Sequence, residues 1–231
     1  MMRKLTTSDA QASGATNPIP TTATRTLLAC GVAAAPLFIV VALAQMVARD
    51  GFDPARHPLS LLSNGDLGWV QITNFIVAGL LFFAGAVGMR AILRPGPGGT
   101  WGPRLIGALG VALVWGGVFV ADPAQGFPPG TPPGVPDQLS WHSILHTVAP
   151  VVGYWAPVAA CFVFARRFRW AGQRSWATYC TVTGLVAPVL ALAAFPAADF
   201  RLLFAGGVLV WGWASLLAAR LLTRPTGAPI S

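Results

Sequence analysis

The sequence predicts an all-α membrane protein, a bundle of six transmembrane helices with both termini on the cytoplasmic side. Three observations predict it. First, 55% of the 231 residues are hydrophobic and only 10% are charged, with a mean hydropathy of +0.64; an ordinary soluble domain has about 25% charged residues. Second, the apolar residues fall into six uncharged stretches, each close to the roughly 20 residues (about 17–25) that cross a hydrocarbon core. Third, Arg and Lys are concentrated in alternate loops, as the positive-inside rule requires.

The elements follow in order. Residues 1–25 are polar, rich in Thr, Ala and Ser, with Arg3, Lys4 and Arg25; they read as a disordered cytoplasmic tail. Residues 26–222 form the transmembrane domain, with spans at Thr26–Ala48, Leu67–Met89, Leu105–Ala121, His142–Ala165, Ser175–Ala198 and Leu202–Ala219, and a short tail at 223–231. Ala42-Leu43-Ala44 resembles a signal-peptide cleavage site. The apolar run before it is too long and its polar leader too extended for that, so it stays a helix. Pro188 and Pro196 are expected to kink the fifth span, and the recurrent glycines to let helix backbones approach closely.

Orientation comes from the cations. Twelve Arg and Lys residues lie in the termini and in the second and fourth loops, against Arg49, Arg56 and Arg201 on the other side. The net charge of +8 is therefore a topology signal, with some attraction to anionic lipid, and not a nucleic-acid patch. The implied partner is membrane lipid. The oligomeric state is left open. Cys30, Cys161 and Cys180 lie in separate apolar segments without metal or redox spacing, as small packing residues do.

Two outer loops are long. In the first, Arg49 to Asp66, Pro58 is placed to start a short helix with His57 at its cap, and Ser63-Asn64-Gly65-Asp66 to turn into the second span. Leu59, Leu61 and Leu62 put the intervening piece in the membrane interface. The second, Asp122 to Trp141, contains Phe127-Pro128-Pro129-Gly130-Thr131-Pro132-Pro133-Gly134-Val135-Pro136. Such a segment is stiff and poor in backbone donors, and it is either a lid over the bundle or a rigid connector.

The polar residues converge on this outer end. His142 and His146 are four apart, a spacing that puts two side chains on one helix face. His57 and Asp122 share the side, with Ser60, Asp66, Gln71 and Asn74 nearby. Polar groups at membrane depth are costly and mark candidate sites. The positive helix N-terminus disfavours imidazolium at His142 and His146, and neutral imidazole is the metal-binding form. Asp122 closes the third span, where the dipole disfavours an anion, so it needs a cation or donors. Three histidines, His57, His142 and His146, with one open position are the ligand set of a catalytic zinc. Asp122 would then orient the water, and Ser60 would help hold an oxyanion. The alternatives are interfacial histidines bonded to backbone and headgroups, a haem ligand or a proton relay.

The run His57-Pro58-Leu59-Ser60-Leu61-Leu62-Ser63 is followed by Gly65-Asp66-Leu67-Gly68-Trp69-Val70-Gln71 and Asn74-Phe75. With Asp122-Pro123 and Trp141-His142 to His146, it resembles a bacterial multi-pass membrane family catalogued as a domain of unknown function, number nine-nine-eight. The resemblance covers residues 27–222. It implies a six-helix fold in a bacterial plasma membrane and brings no assigned activity. More loosely, an early Ser and His, an Asp at the third span and a later His-x-x-x-His are similar to the superfamily of alkaline ceramidases and progestin/adipoQ receptors. That likeness implies zinc held by His57, His142 and His146, with Asp122 as water partner and Ser60 as oxyanion donor. The chain departs from it in having six spans rather than seven, paired histidines on the fourth rather than the last, Ser60 after His57, and an outward site. Two functional classes follow: a metal-dependent hydrolase of lipid amides or esters, or a non-enzymatic small transporter, lipid-binding protein or accessory subunit.

Overall fold

A computed structural model describes residues 21–223; residues 1–20 and 224–231, which hold most of the two expected tails, lie outside the described residues. The helices are α1 (Thr22–Ala48), α2 (Gly68–Leu93), α3 (Trp101–Val118), α4 (Trp141–His146), α5 (Val148–Trp170), α6 (Arg174–Ala194) and α7 (Phe200–Leu222), with a 3₁₀ turn at Leu59–Ser63. The short α4 and α5 make one span, so among the described residues six helical segments are long and apolar enough to cross a membrane. The chain is an integral membrane protein. An even number of spans puts both ends of the described segment on one side of the bundle, the termini end; the two long loops cover the other, the loop end.

Several helix limits differ from those read off the sequence. Composition ends a span at its first cation, but arginine is a good helix former, and its long stem carries the charge out of lipid. Thus α1 starts at Thr22, where Thr21 accepts from the Thr24 N–H at 3.2 Å. Likewise α2 runs past Arg90 to Leu93, and α7 past Arg220 to Leu222. At the loop end, helices stop early: α3 at Val118 and α6 at Ala194. Pro196 therefore lies in the turn after α6 and kinks nothing, while Pro188 is inside it. The fourth span is broken at Thr147. Pro150, in the first turn of α5, has no N–H for the carbonyl of His146. Thr147 Oγ1 donates to the Ile144 carbonyl at 2.7 Å, and Trp115 Nε1 to that of Leu145 at 2.8 Å.

Each span packs on its neighbours in sequence, and α7 returns to α1, closing the six into a ring. Lipid offers no hydrophobic drive between helices, so close approach and buried hydrogen bonds must hold them. A Cβ on Gly79 would sit 2.6 Å from the Gly110 carbonyl oxygen, and one on Gly85 2.6 Å from Gly31 Cα. The α1–α7 seam is closed by Ser215, whose hydroxyl donates to the Gly31 carbonyl (2.8 Å) and accepts from the Ala35 N–H (3.1 Å), beside Pro36. Trp213, fully buried, donates to Cys180 Sγ at 3.3 Å. Val40, Leu80, Val189 and Leu192, more than half exposed, form part of the lipid-facing wall.

The glycine contacts make a prediction. Gly79→Ala, meeting immovable backbone, should cost about 1–3 kcal/mol and lower the thermal midpoint in detergent. Gly207→Ala, where a Cβ meets nothing within 4 Å, should not.

Candidate functional site

The ring encloses a pocket at its loop end, with about 860 Å³ of empty space counting its open mouth. Helical spacing explains its walls. Phe204, Gly207 and Trp211 recur at three and four residues on one face of α7, and His146, Pro150 and Tyr154 do so across α4 and α5. Phe38 and Phe75 close the α1–α2 side, and Trp211 meets Phe38 edge-on at 4.9 Å. Behind that wall three buried amides join α1 to α2: Gln45 Nε2 donates to Gln71 Oε1 at 2.7 Å, and Asn74 Nδ2 donates to the Phe38 carbonyl at 3.1 Å. Residues 54 and 57–60 form the roof.

The Pro-rich segment is a lid on the first loop and itself lines none of the pocket. Phe127 is fully buried in a small second core with Phe52, Leu61 and Leu62. The Arg49 guanidinium lies 5.2 Å from the Phe127 ring centroid and donates to the carbonyls of Leu62 (3.1 Å) and Asn64 (2.6 Å). Burial lowers the pKa of Arg49 from its ordinary value, and Asp66 acts against that shift. Gly51 and Gly65, both with positive φ, let Pro129 and Pro128 settle on the first loop. Asn64 Nδ2 donates to the Ala121 carbonyl at 3.1 Å, so the expected turn after Ser63 ties the loops together, and α2 begins without a side-chain cap.

The five residues expected to carry chemistry divide between two places. His57, Ser60 and His146 line the pocket; Asp122 and His142 do not. His57 Nδ1 accepts from the Asp53 N–H at 2.9 Å, and Nε2 meets the Gln125 carbonyl at 3.1 Å. An amide can only donate and a carbonyl only accept, so the ring is neutral with its proton on Nε2, and no lone pair remains for a metal. His57 is thus a latch between the first loop and the lid, not the cap of the 3₁₀ turn, whose N-cap is Pro58. His146 donates from Nδ1 to the Phe119 carbonyl at 2.6 Å, which leaves Nε2 as its free acceptor. His142 is exposed, with its ring 3.6 Å from that of Trp141. Side chains lean toward a helix N-terminus. At the second residue of α4, His142 therefore leans out past the rim, while His146, a turn deeper, stays under it.

Asp122 accepts from the Ser140 N–H (2.7 Å) and hydroxyl (2.6 Å), and its own N–H donates to Ser143 Oγ (3.2 Å). Its need for donors is met by closing the base of the lid loop, so it is not held beside a water in the pocket. Among the described residues no three His, Cys, Asp or Glu are placed to hold a metal, and the donor set does not fit a three-histidine zinc.

The sequence profile of the family described as Protein of unknown function (DUF998) matches residues 32–220. The chain belongs to this family. No curated protein and no solved structure matches it, and nothing in these comparisons ties the DUF998 chain to the ceramidase and progestin/adipoQ receptor superfamily. Of the other pocket residues, Tyr154 and Trp211 carry only their helical spacing as a signal in the sequence, and Gly207 belongs to the glycines expected to let helices approach.

Two outcomes follow for the DUF998 protein. Phe127→Ala removes the plug of the second core, a change worth about 3–5 kcal/mol for a buried Phe. It should sharply raise protease cleavage within residues 122–140 while the helices keep their melting temperature. Metal analysis of purified wild type should find no near-stoichiometric zinc, and His142→Ala should read the same.

Proposed function

We propose that this DUF998 protein is a non-enzymatic lipid-binding membrane protein that takes one single-chain amphiphile into its loop-end pocket. One observation carries the reading: a narrow apolar pocket inside the ring holds a single free imidazole acceptor, Nε2 of His146, near its roof. Apolar walls with a few placed polar groups are what a small-ligand site requires. Phe38, Phe75, Leu113 and Trp211 suit a hydrocarbon chain. The His146 acceptor suits a head that donates a hydrogen bond, such as a hydroxyl or a protonated acid. With the termini cytoplasmic, as the cation distribution implies, the pocket serves the outer leaflet.

The lipid amide or ester hydrolase finds less support. Hydrolysis needs a nucleophile or metal-bound water with a base in reach. Here Asp122 is held by Ser140, and His57 is held by two backbone groups.

The test uses wild-type protein in detergent, incubated with brominated octadecanol and analysed by native mass spectrometry. Gly207→Phe, whose ring enters open space in the pocket, should cut retention at least tenfold. His146→Leu should weaken the alcohol by about fivefold, the worth of one hydrogen bond, and leave the corresponding alkane unaffected. Equal retention by wild type and Gly207→Phe would refute the pocket reading.

A further inference from the structure

The lipid-facing wall carries a second concavity, a cleft between α2 and α3 at the termini end, with about 930 Å³ of space open on one side. Its floor is made of small residues, Ala86, Gly107 and Ala108. A Cβ on Gly107 would meet Ala86 and Phe83 only at ordinary contact, 3.7–3.9 Å, so the cleft is open because side chains are missing there. Arg90 and Arg104 stand at one end of it, and Phe83 and Val111 lie further in. From Arg104 to Val111 the α3 axis rises roughly 10 Å, about two thirds of one hydrocarbon leaflet.

The charge at this end is uncompensated. The charges acting on Arg90 are those of Arg94 and Arg104, both positive. Among the described residues the side chains of Arg90 and Arg94 make no hydrogen bond or ion pair. The described carboxylates, Asp50, Asp53, Asp66, Asp122, Asp137 and Asp199, all lie at the loop end. Elsewhere at the termini end several guanidinium groups are engaged, Arg166 over Trp170, Arg167 on the Pro97 carbonyl and Arg220 over Trp176, and Arg25, Arg169 and Arg174 line neither concavity. Arg104 itself is braced 5.4 Å from the centroid of Trp101, an exposed interfacial ring. Two cations beside an apolar trough that runs into the bilayer match a phosphate with a chain attached.

We infer that this cleft binds one anionic phospholipid from the leaflet on the termini side. Its phosphate sits between Arg90 and Arg104, and its chain lies along Phe83, Val87 and Val111. Guanidinium pairs recognise phosphate by charge and by forked hydrogen bonds. A zwitterionic lipid places its own cation at the same point and loses that advantage.

The experiment is native mass spectrometry of delipidated protein in detergent, offered phosphatidylglycerol or phosphatidylcholine. Wild type should retain one phosphatidylglycerol at least tenfold better than phosphatidylcholine. The double variant Arg90→Gln/Arg104→Gln should lose that preference. Gly107→Phe, which fills the cleft and keeps the charge, should lose the bound phosphatidylglycerol; Arg166→Gln and Gly207→Phe should keep it. Elution as a single folded species confirms that each cleft variant is intact. Equal retention of the two lipids by wild type, or undiminished phosphatidylglycerol in Gly107→Phe, would overturn the assignment. Because Gly207→Phe is scored in both experiments, failure here and failure of the loop-end pocket are told apart.

Discussion

The hydroxyl of Ser215, bridging the Gly31 carbonyl and the Ala35 N–H across the α1–α7 seam, is the contact on which the rest of the molecule turns. Five of the six interfaces in the ring join spans adjacent in sequence and need only short connections. The sixth joins the first span to the last. In lipid nothing squeezes these two helices together, so the seam depends on backbone proximity and on polar atoms with no other partner. Pro36 directly follows Ala35 and leaves the Val32 carbonyl of the same turn without its ladder donor. Closure also creates the cavity, because Phe38 of α1 and Trp211 of α7 meet edge-on at 4.9 Å only when the ring is shut.

Over that cavity the loop end solves a different problem. A proline-rich loop has few N–H groups with which to make structure of its own, so neighbouring side chains must fasten it. His57 holds the Gln125 carbonyl, Arg49 braces Phe127, and Asp122 binds Ser140 at the loop's base. His57 and Asp122 are among the residues whose types suggested zinc chemistry. Polar side chains at helix ends can serve either catalysis or backbone satisfaction, and the second use consumes the lone pairs that the first requires.

The two concavities divide the molecule chemically. The loop-end pocket lies inside the ring, nearly uncharged, with one imidazole acceptor. The termini-end cleft lies outside it and is dominated by guanidinium groups. Both arise where small residues leave room: Gly207 in the pocket, Gly107 in the cleft. In a bundle held by close approach, glycine admits a neighbouring helix at one level, as at Gly79 and Gly85, and leaves a concavity at another.

Helix number, membrane residence and the asymmetry of charge were all determined by the sequence itself. They follow from local composition: an apolar run of some 20 residues must be helical in lipid whatever it packs against. Helix limits were less legible at the charged ends, because an arginine stops a hydropathy window but not a helix. The site was legible only as a list. His57, Ser60 and His146 do share a pocket, while Asp122 and His142 point to other duties. Which nitrogen holds a proton, and which oxygen is already bonded, depend on backbone groups such as Asp53, Phe119 and Gln125. No spacing rule brings those atoms to a side chain 68 residues away, as Gln125 is from His57; only the closed ring and its interlocked loops do. By its spacing alone, the stretch from Ser140 to His146 offers two histidines to one metal. Tertiary structure parted its histidines, because α4 ends within two turns and only its deeper end lies beneath the rim.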